Sequence, residues 1–323
     1  MTSVQTARGE VDVASLGPTL MHEHVFVLDP DIQNNFEAGW NEEERMTDAV
    51  EKLNGLYAAG IGTMVDMTVV GLGRYIPRVK SLAMTTKLNI IVATGLYTFD
   101  EVPGWFAYRP PSATGNVDIM VELFVKDISE GIGDTGIRAG VLKCATDEPG
   151  VTAGVERVIR AVAKAHRITG VPISTHSHAP SRRGLEQQAI LEDEGVDLNR
   201  VVIGHSGDTT DIAYLEELIA RGSWLGMDRF GLDRRLSFED RIAVVSEMCA
   251  RGHHTKMVLS HDVHCFSDRV DGRASTFSQP NWHYLHILNE VLPALRSKGV
   301  AEDQIHAMLV ENPRQIFGNQ GTY

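Results

Sequence analysis

Basic residues are the minority among the charged residues of this sequence. It contains 30 Lys and Arg against 43 Asp and Glu, which gives a formal net charge of −13 at pH 7. Nucleic acids and acidic membrane surfaces are negatively charged and are bound mainly through Lys and Arg. The charge balance therefore argues against both as partners and favours a small substrate that is neutral or weakly charged.

Cysteines and long apolar runs are also scarce. Cys144, Cys249 and Cys265 are an odd number of cysteines without CxxC spacing. No apolar run approaches the roughly 18 residues that a membrane helix needs. The first residues, MTSVQTARGEVDVASLG, contain no apolar signal region. We therefore expect a cytoplasmic protein without a membrane-spanning segment.

Eight short segments alternate with helix-like stretches along the whole chain. Many Val, Ile and Leu residues in a short run are typical of strands that are buried on both faces. The predicted strands are Pro18–His24, Thr63–Thr68, Asn89–Tyr97, Gly140–Cys144, Val171–His176, Val201–His205, Trp224–Arg229 and Met257–Asp262. Amphipathic patterns long enough for right-handed crossover helices are Glu42–Ala59, Val155–Thr169, Asp211–Ala220 and Phe238–Arg251.

This alternation predicts an α/β fold of the TIM-barrel type, a (β/α)8 barrel covered by helices. His283–Arg296 and Glu302–Phe317 are predicted as extra C-terminal helices. The long irregular stretches, Asp100–Val117 and Val263–Trp282, follow strands and so belong to the catalytic side. Because no internal repeat or low-complexity linker divides the sequence, we expect residues 1–323 to form a single domain.

Six polar side chains stand where predicted strands end. In a barrel of this type the C-terminal strand ends surround the active site, so these side chains should converge. They offer nitrogen and oxygen donors without sulfur, a set that suits Zn, Co, Mn or Fe. We therefore predict metal-assisted hydrolysis at a site for two divalent ions. The six residues are His22, His24, Lys143, His176, His205 and Asp262.

Each of these residues also has an ordinary structural explanation. HxH alone is weak evidence, although His22 and His24 face one side of their strand while Glu23 faces the other. Lys143 alone would most often be a buried ion-pair partner, and Asp262 could simply cap the last strand. Between two cations, however, the Lys143 amine would lose its proton easily and could take up CO₂ as a bridging carbamate. Asp262 facing the cluster would ligate one metal and accept a proton from bridging water.

The other histidines are less informative. Those on or beside predicted helices are interpreted as ordinary structural or solvated residues: His166, His253, His254 and His306. Five further histidines remain open: His178, His261, His264, His283 and His286.

The segments around the six donors, together with the run that contains Arg229, resemble the phosphotriesterase-like lactonases of the amidohydrolase superfamily, over essentially the full chain. These segments are TLMHEHVF, GVLKCATDEPG, VPISTHSHA, VVIGHSGD, LGMDRFGLD and VLSHDVH. The resemblance implies that His22, His24 and Asp262 bind a buried metal ion. It further implies that His176 and His205 bind a more exposed one, with zinc the first choice of metal.

The same resemblance extends to the bridge and the substrate pocket. Carboxylated Lys143, together with a hydroxide, would bridge the two ions. Tyr97 matches a tyrosine that contacts the hydroxide and the lactone, and Arg229 matches an arginine that lines the pocket. Trp282 matches an aromatic wall, beside which His264 is a further candidate for substrate binding. In this interpretation Tyr97 steers a substrate oxygen, Asp262 carries the proton away and Arg229 orders the pocket.

The loop after the seventh strand points to a branch of the family. Gly231–Phe238 is short compared with the loop of true phosphotriesterases, and this difference favours the lactonase branch. Within the family the sequence looks most like the actinobacterial N-acyl-homoserine lactone lactonases. Val263–Trp282 would be a flexible lid over the acyl chain. The resemblance thus implies lactone hydrolysis that quenches quorum sensing, promiscuous phosphotriesterase activity and a homodimer. The alternative is a primary aryldialkylphosphatase or another carboxylic ester hydrolase.

Three other functional classes are less consistent with the sequence. A metal-dependent nuclease would need a basic surface, which the net charge of −13 opposes. A barrel without catalytic activity should have lost at least one donor, and none is missing. A serine hydrolase is disfavoured because Ser260, His261 and Asp262 alternate in direction along a strand, and no GxSxG motif occurs.

Overall fold

A sheet of parallel strands, rolled into a barrel, forms the centre of the computed structural model, which describes residues 2–36, 39–113, 115, 117–269 and 279–323. An antiparallel hairpin of β1 (Ser3–Thr6) and β2 (Gly9–Asp12) precedes the barrel. The described strands of the barrel sheet are β3 (Thr19–Val27), β4 (Thr63–Asp66), β5 (Asn89–Gly95), β6 (Val141–Ala145), β7 (Ile173–His176), β8 (Val201–Ile203), β9 (Trp224–Met227), β10 (Met257–Leu259) and β11 (His264–Ser267).

The last part of the strand order closes the sheet on itself. β10 pairs with β9, whereas β11, which follows on the same stretch of chain, pairs with β3. Between these two pairings the Asp262 amide donates to the His22 carbonyl at 3.0 Å, and the His24 amide donates to the Val263 carbonyl at 2.9 Å. β10 and β11 therefore occupy one strand position of the barrel, between β9 and β3. The predicted TIM barrel is confirmed.

Helices surround the barrel. They are α1 (Pro30–Asn35), α2 (Glu42–Ala58), α3 (Ile76–Ala83), α4 (Gly104–Ala107), α5 (Ile119–Ser129), α6 (Ala153–Thr169), α7 (Arg183–Asp193), α8 (Ile212–Ala220), α9 (Phe238–Ala250), α10 (Leu292–Ser297), α11 (Glu302–His306) and α12 (Asn312–Gly318). Two π-helical segments, Ile287–Val291 and Ala307–Glu311, lead directly into α10 and α12. No helix among the described residues combines the length and apolarity that spanning a membrane requires.

Helix α6 shows how local sequence sets these elements. The Thr152 hydroxyl accepts a hydrogen bond from the Val155 amide and so caps the start of the helix. Gly170 ends it in the left-handed conformation, at φ 77°, which a residue without a Cβ adopts at little cost. Val158 and Ile159 are buried in the core, and each such side chain contributes on the order of 1.5–3 kcal/mol.

Two apolar layers stabilise the barrel, one between the sheet and the helices and one inside the barrel. Neighbouring residues on one strand point to opposite layers, so Ile90 packs towards the helices while Ile91 packs inside the barrel. The inner layer also contains Val4, Leu16 and Phe317, from the N-terminal segment and α12. These side chains close the N-terminal end of the barrel, so the site lies at the C-terminal end of the strands.

Several predicted boundaries were wrong. β3 continues past His24 to Val27, because Phe26 and Val27 still have pairing partners on β11. His22 and His24 therefore lie inside a strand rather than at its end. The predicted irregular stretch Asp100–Val117 contains α4, and Val263–Trp282 contains β11. The rest of the proposed lid falls largely on residues 270–278, which lie outside the described residues.

Candidate metal centre and active site

The six predicted donors gather at the open end of the barrel. All except Asp262, which is slightly more exposed, are buried. Parallel pairing places their strands side by side, for example with Ala145 opposite His176 in the register of β6 and β7. The donors are His22 and His24 on β3, Lys143 on β6, His176 at the end of β7, His205 after β8 and Asp262 after β10.

Three residues of the site have a left-handed backbone. The φ angle is 58° at His205, 63° at Arg229 and 56° at Asp262. A non-glycine residue in this region carries about 1–2 kcal/mol of strain, which persists only where surrounding contacts hold it. Each strained residue lies two or three residues beyond the end of a barrel strand. The strain is therefore concentrated where the chain turns its side chains towards the site.

One set of donor atoms meets on the Asp262 carboxylate. Its Oδ1 lies 3.3 Å from His24 Nε2 and 3.7 Å from His22 Nε2. Lys143 Nζ is 3.1 Å from the same His22 nitrogen. These distances bring two imidazoles, a carboxylate and an amine to a single point.

A second set of donors meets on the other side of Asp262. His205 Nε2 is 2.9 Å from His176 Nδ1 and 3.8 Å from Asp262 Oδ2. Ligand atoms of His22, His205 and Asp262 all lie within 4.8 Å of one another, so these three residues could contact one metal ion. Asp262 thus joins two donor sets, with Lys143 close to one of them.

Three of the four histidines turn their second ring nitrogen away from this centre and towards a hydrogen-bond partner. His205 Nδ1 donates to Asp228 at 2.7 Å, His176 Nε2 to Asp147 at 3.1 Å and His24 Nδ1 to the Thr68 hydroxyl at 2.8 Å. Such partners fix the ring orientation and the tautomer of metal-binding histidines. The nitrogens that face the centre are therefore free to act as lone-pair donors.

The protonation states suit cation binding. Burial lowers the pKa of His22 and His205 well below the usual value and that of His176 to about 4, so these imidazoles are neutral near pH 7. Burial opposes ionisation of Asp262, but His205, His24 and Arg229 outweigh it and hold its pKa well below the usual value. Neutral imidazoles around a carboxylate fit divalent ions of the zinc or cobalt type.

Arg229 connects the centre to a chain of buried charges. Its Nε donates to Asp262 Oδ2 at 3.0 Å, and its guanidinium also donates to Asp208 at 2.8 Å. Asp208 is held in turn by Arg241, a side chain on α9 that is only 2% exposed. This alternation of charges fixes one carboxylate oxygen of Asp262 beside the donors.

The other predicted pocket residues lie around this centre. The Tyr97 ring packs edge-on against His176, with centroids 5.4 Å apart, and lies 5.6 Å from Lys143 Nζ. Trp282 packs against His264, with ring centroids 5.0 Å apart, and donates from Nε1 to the His261 carbonyl at 2.9 Å. Tyr97 therefore borders the donors directly, whereas Trp282 and His264 form a wall beside the Asp262 segment.

The sequence of the whole barrel matches one family. The model of the phosphotriesterase family aligns with residues 2–317. The chain belongs to the phosphotriesterase family. Since family members are hydrolases of small molecules, the hydrolase activity predicted from the donors is confirmed at that level. The resemblance drawn from the strand-end motifs is confirmed at the family level as well.

Individual members of the phosphotriesterase family resemble the chain over its full length. A phosphotriesterase homology protein of Mycobacterium tuberculosis is 58% identical, with 100% of both chains covered. The solved structure of the phosphotriesterase from Mycobacterium tuberculosis has a TM-score of 0.97 and 57% identity, covering 99% of this chain and 100% of that one. An aryldialkylphosphatase of Saccharolobus solfataricus is 36% identical and covers 96% of this chain and 98% of its own.

Sequence reasoning missed the acidic residues that support the donors in this phosphotriesterase-family site. Asp147, Asp208 and Asp228 accept hydrogen bonds from His176, Arg229 and His205, respectively. All three lie within the segments that carry the family resemblance, one to five residues beyond the end of a barrel strand. Because acidic residues are common in loops, their type and position alone could not distinguish them from solvated side chains.

Several histidines outside the donor sets have hydrogen-bond partners of their own. His178 pairs with Ser181, and His261 with Glu23. His166 bonds to the Val171 carbonyl and to Tyr323. The Nε2 atoms of His253 and His306 lie within hydrogen-bond distance of Glu216 and Glu311. The structural interpretation of His166, His253 and His306 thus agrees with their contacts.

The buried histidines predict an acid-sensitive fold when metal is absent. His176 has a pKa of about 4 in the folded chain against 6.5 ordinarily, so the unfolded chain binds more protons between these values. The free energy of unfolding should therefore fall as the pH drops through this window, by up to about 1.4 kcal/mol per pH unit for each such histidine. Urea unfolding of chelator-treated protein from neutral pH to about pH 5 measures this slope.

Two variants make this measurement specific. His176→Asn should reduce the slope by about one proton, because the asparagine does not titrate. His306→Asn, at an exposed histidine that contacts Glu311, should leave most of the slope in place. An unchanged slope in His176→Asn would contradict the assignment.

Proposed function

We propose that the donors bind two divalent metal ions. His22, His24 and Asp262 would hold one ion, and His176 and His205 would hold the other. The observation that carries this proposal is that nitrogens of His24, His22 and His205 approach the two oxygens of Asp262 at 3.3–3.8 Å. His176 Nδ1 lies 2.9 Å from the same His205 nitrogen, and three of the four outer histidine nitrogens have hydrogen-bond partners. Zinc is the first candidate, and cobalt, manganese and iron share the same ligand preference.

Lys143 would bridge the two ions as a carbamate. It is only 1% exposed, and burial lowers its pKa to about 8. About a tenth of the amine is then neutral at pH 7, which follows from a pKa one unit above the pH. A neutral amine attacks CO₂, so an N–C bond forms and a proton is released, leaving an anionic carbamate. That anion would place two oxygens among the donors.

The site supports hydrolysis of an ester carbonyl in a lactone. Bound ions of this kind lower the pKa of water and polarise a carbonyl oxygen. Asp262 would accept a proton from water. Arg229 Nε donates to its carboxylate at 3.0 Å and so fixes its orientation, and the low pKa of Asp262 keeps the carboxylate ionised. Burial raises the pKa of Tyr97, so its hydroxyl stays protonated and can donate to a substrate oxygen.

The proposed reaction adds one water molecule across the ester bond of the lactone ring. The oxygen of water forms a bond to the lactone carbonyl carbon, and the bond from that carbon to the ring oxygen breaks. The ring oxygen takes the proton that Asp262 accepted from water and leaves as a hydroxyl. The short Gly231–Phe238 loop and the wall of Trp282 and His264 would border the acyl chain of an N-acyl-homoserine lactone.

A second function has its own support. The relative from Saccharolobus solfataricus is an aryldialkylphosphatase, and a neutral phosphotriester also presents a polarised P=O group with a leaving oxygen. We therefore expect phosphotriesters to be slow substrates of the same site. The primary aryldialkylphosphatase is the alternative to the lactonase.

A comparison of substrates tests this proposal. Each CH₂ of an acyl chain gains about 0.8 kcal/mol on burial, or about a fourfold increase in kcat/KM if the whole gain appears in the transition state. We expect kcat/KM to rise with chain length along an N-acyl-homoserine lactone series until the pocket is full. Nitrophenyl phosphotriesters should be poorer substrates. Both series need the same metal-loaded sample and a single pH.

The same experiment can reject the lactonase. Faster turnover of the phosphotriester, or no turnover of any lactone, would make the aryldialkylphosphatase the better assignment. A flat lactone series would show that the pocket does not bind the acyl chain.

A further inference from the structure

Glu23 is a buried carboxylate on the opposite side of β3 from the two histidines that flank it. It is 0% exposed, and its Oε1 accepts hydrogen bonds from the His261 amide and from His261 Nδ1, both at 2.8 Å. Its Oε2 accepts from the Val263 amide at 3.0 Å. Glu23 thus binds the residues on both sides of Asp262 without touching Asp262 itself.

This arrangement holds the strained segment in place. Asp262 has a φ of 56°, and its own amide donates to the His22 carbonyl at 3.0 Å. Three consecutive amides, at 261, 262 and 263, are therefore anchored to β3. Without such contacts a non-glycine residue would gain about 1–2 kcal/mol by leaving the left-handed region.

His261 extends the same anchor to the pocket wall. Its Nδ1 donates to Glu23, so its Nε2 is an acceptor and receives the Ile287 amide at 3.0 Å. Its carbonyl accepts from Trp282 Nε1 at 2.9 Å. One side chain and its backbone therefore link β3, the start of the C-terminal helical segment and Trp282.

We propose that Glu23 and His261 are positioning residues that hold Asp262 in its left-handed conformation and aim its carboxylate at the donor centre. The role is distinct from metal binding, since neither side chain faces the donors. Glu23 supplies a bidentate acceptor for the two flanking amides, and His261 supplies a donor that fixes the Glu23 carboxylate. The proposal rests on the metal centre proposed above, because its effect is exerted through Asp262.

The two side chains allow nearly isosteric tests. Glu23→Gln keeps the shape but replaces one acceptor oxygen with an NH₂ group that would face an amide donor. One flank of Asp262 is then unsatisfied, a defect that costs on the order of 1–3 kcal/mol. Changes to such supporting groups typically weaken metal affinity or activity by about 10–100-fold.

His261 separates the contact to Glu23 from the contact to Ile287. Asparagine can place its NH₂ near the Nδ1 position and keep the donation to Glu23, but it does not reach the Ile287 amide. Glutamine extends towards the Nε2 position and can accept from Ile287, but it leaves Glu23 without that donor. The two variants therefore remove opposite halves of the same contact.

The experiment measures metal retention, kcat and metal-free stability in each variant. Zinc retention after dialysis against graded chelator should weaken by about 10–100-fold in Glu23→Gln and His261→Gln. His261→Asn should retain metal and kcat within about threefold of the wild type, although the unpaired Ile287 amide lowers its metal-free Tm. The matched control is Asp127→Asn, a buried carboxylate that binds Arg74 and Thr94 away from the donors. It should lower Tm without changing metal retention.

The outcomes separate this inference from the proposed function. If the wild type retains no zinc, the metal centre itself is wrong. If the wild type retains two zinc ions and Glu23→Gln retains them equally well, the positioning role is overturned while the centre stands. Loss of zinc in His261→Asn but not in His261→Gln would also overturn it.

Discussion

Lys143→Arg is expected to lose at least about a thousandfold in kcat/KM, which corresponds to on the order of 4 kcal/mol of transition-state stabilisation. The reason is chemical rather than steric. A guanidinium stays charged in proteins and cannot take up CO₂. The variant would therefore place a permanent cation beside His22, whose Nε2 lies 3.1 Å from the wild-type amine. Metal binding should be lost together with activity.

Lys143→Ala tests the carbamate in a second way. The variant should also lose metal and activity, but a short carboxylic acid can occupy the space of the missing side chain and supply the bridging oxygens. Partial rescue by added acetate or propionate is therefore expected in Lys143→Ala and not in Lys143→Arg. Metal content and kcat/KM, measured with and without the acid, provide the readout.

The control for both variants is Lys164→Arg. Lys164 is exposed, and its Nζ lies 4.0 Å from Glu194, so the exchange should leave kcat/KM unchanged. Carbon-13 NMR of protein equilibrated with labelled bicarbonate should show a carbamate signal that disappears in Lys143→Arg. Wild-type activity in Lys143→Arg would defeat the carbamate.

Removal of metal is expected to reduce hydrolysis to the background rate, a loss of at least about four orders of magnitude, because water would no longer be activated near neutral pH. The donors form two sets on either side of Asp262. Elemental analysis of fully active protein should therefore find close to two ions per chain. Activity should return on addition of zinc, cobalt or manganese.

Titration of the metal-free protein makes this prediction sharper. If both ions are needed, activity should rise mainly as the second equivalent is added. Full activity with one ion per chain would overturn the binuclear assignment, and full activity after complete chelation would overturn the metal-dependent mechanism. Magnesium is a useful control, since it prefers oxygen ligands in octahedral geometry and should restore little activity.

The barrel could be predicted from the sequence because its signal is periodic and local. A strand that is buried on both faces must be apolar at almost every position, as in Ile90–Ala93, and this requirement does not depend on distant parts of the chain. Boundaries were less predictable. β3 extends to Val27 because β11 lies beside it, and no local pattern marks a partner that is more than 200 residues away.

The candidate donors could be predicted for a related reason. Histidine, lysine and aspartate in or just after short apolar strands are unusual, and the barrel topology brings the C-terminal parts of the strands together whatever the details of packing. The supporting residues could not be predicted in this way. Asp147, Asp208 and Asp228 are ordinary loop residues until the rings of His176 and His205 and the guanidinium of Arg229 are placed beside them.

The sequence by itself determined the fold class, the donor types and the family, because each depends on residue type and spacing along the chain. The tertiary structure decided which partner each of these side chains faces. Only the folded chain places Glu23 against the amides of His261 and Val263, and Arg229 between Asp208 and Asp262. Hydrogen bonds and burial act over a few ångströms between residues far apart in sequence, so pKa shifts, tautomers and backbone strain are properties of the fold.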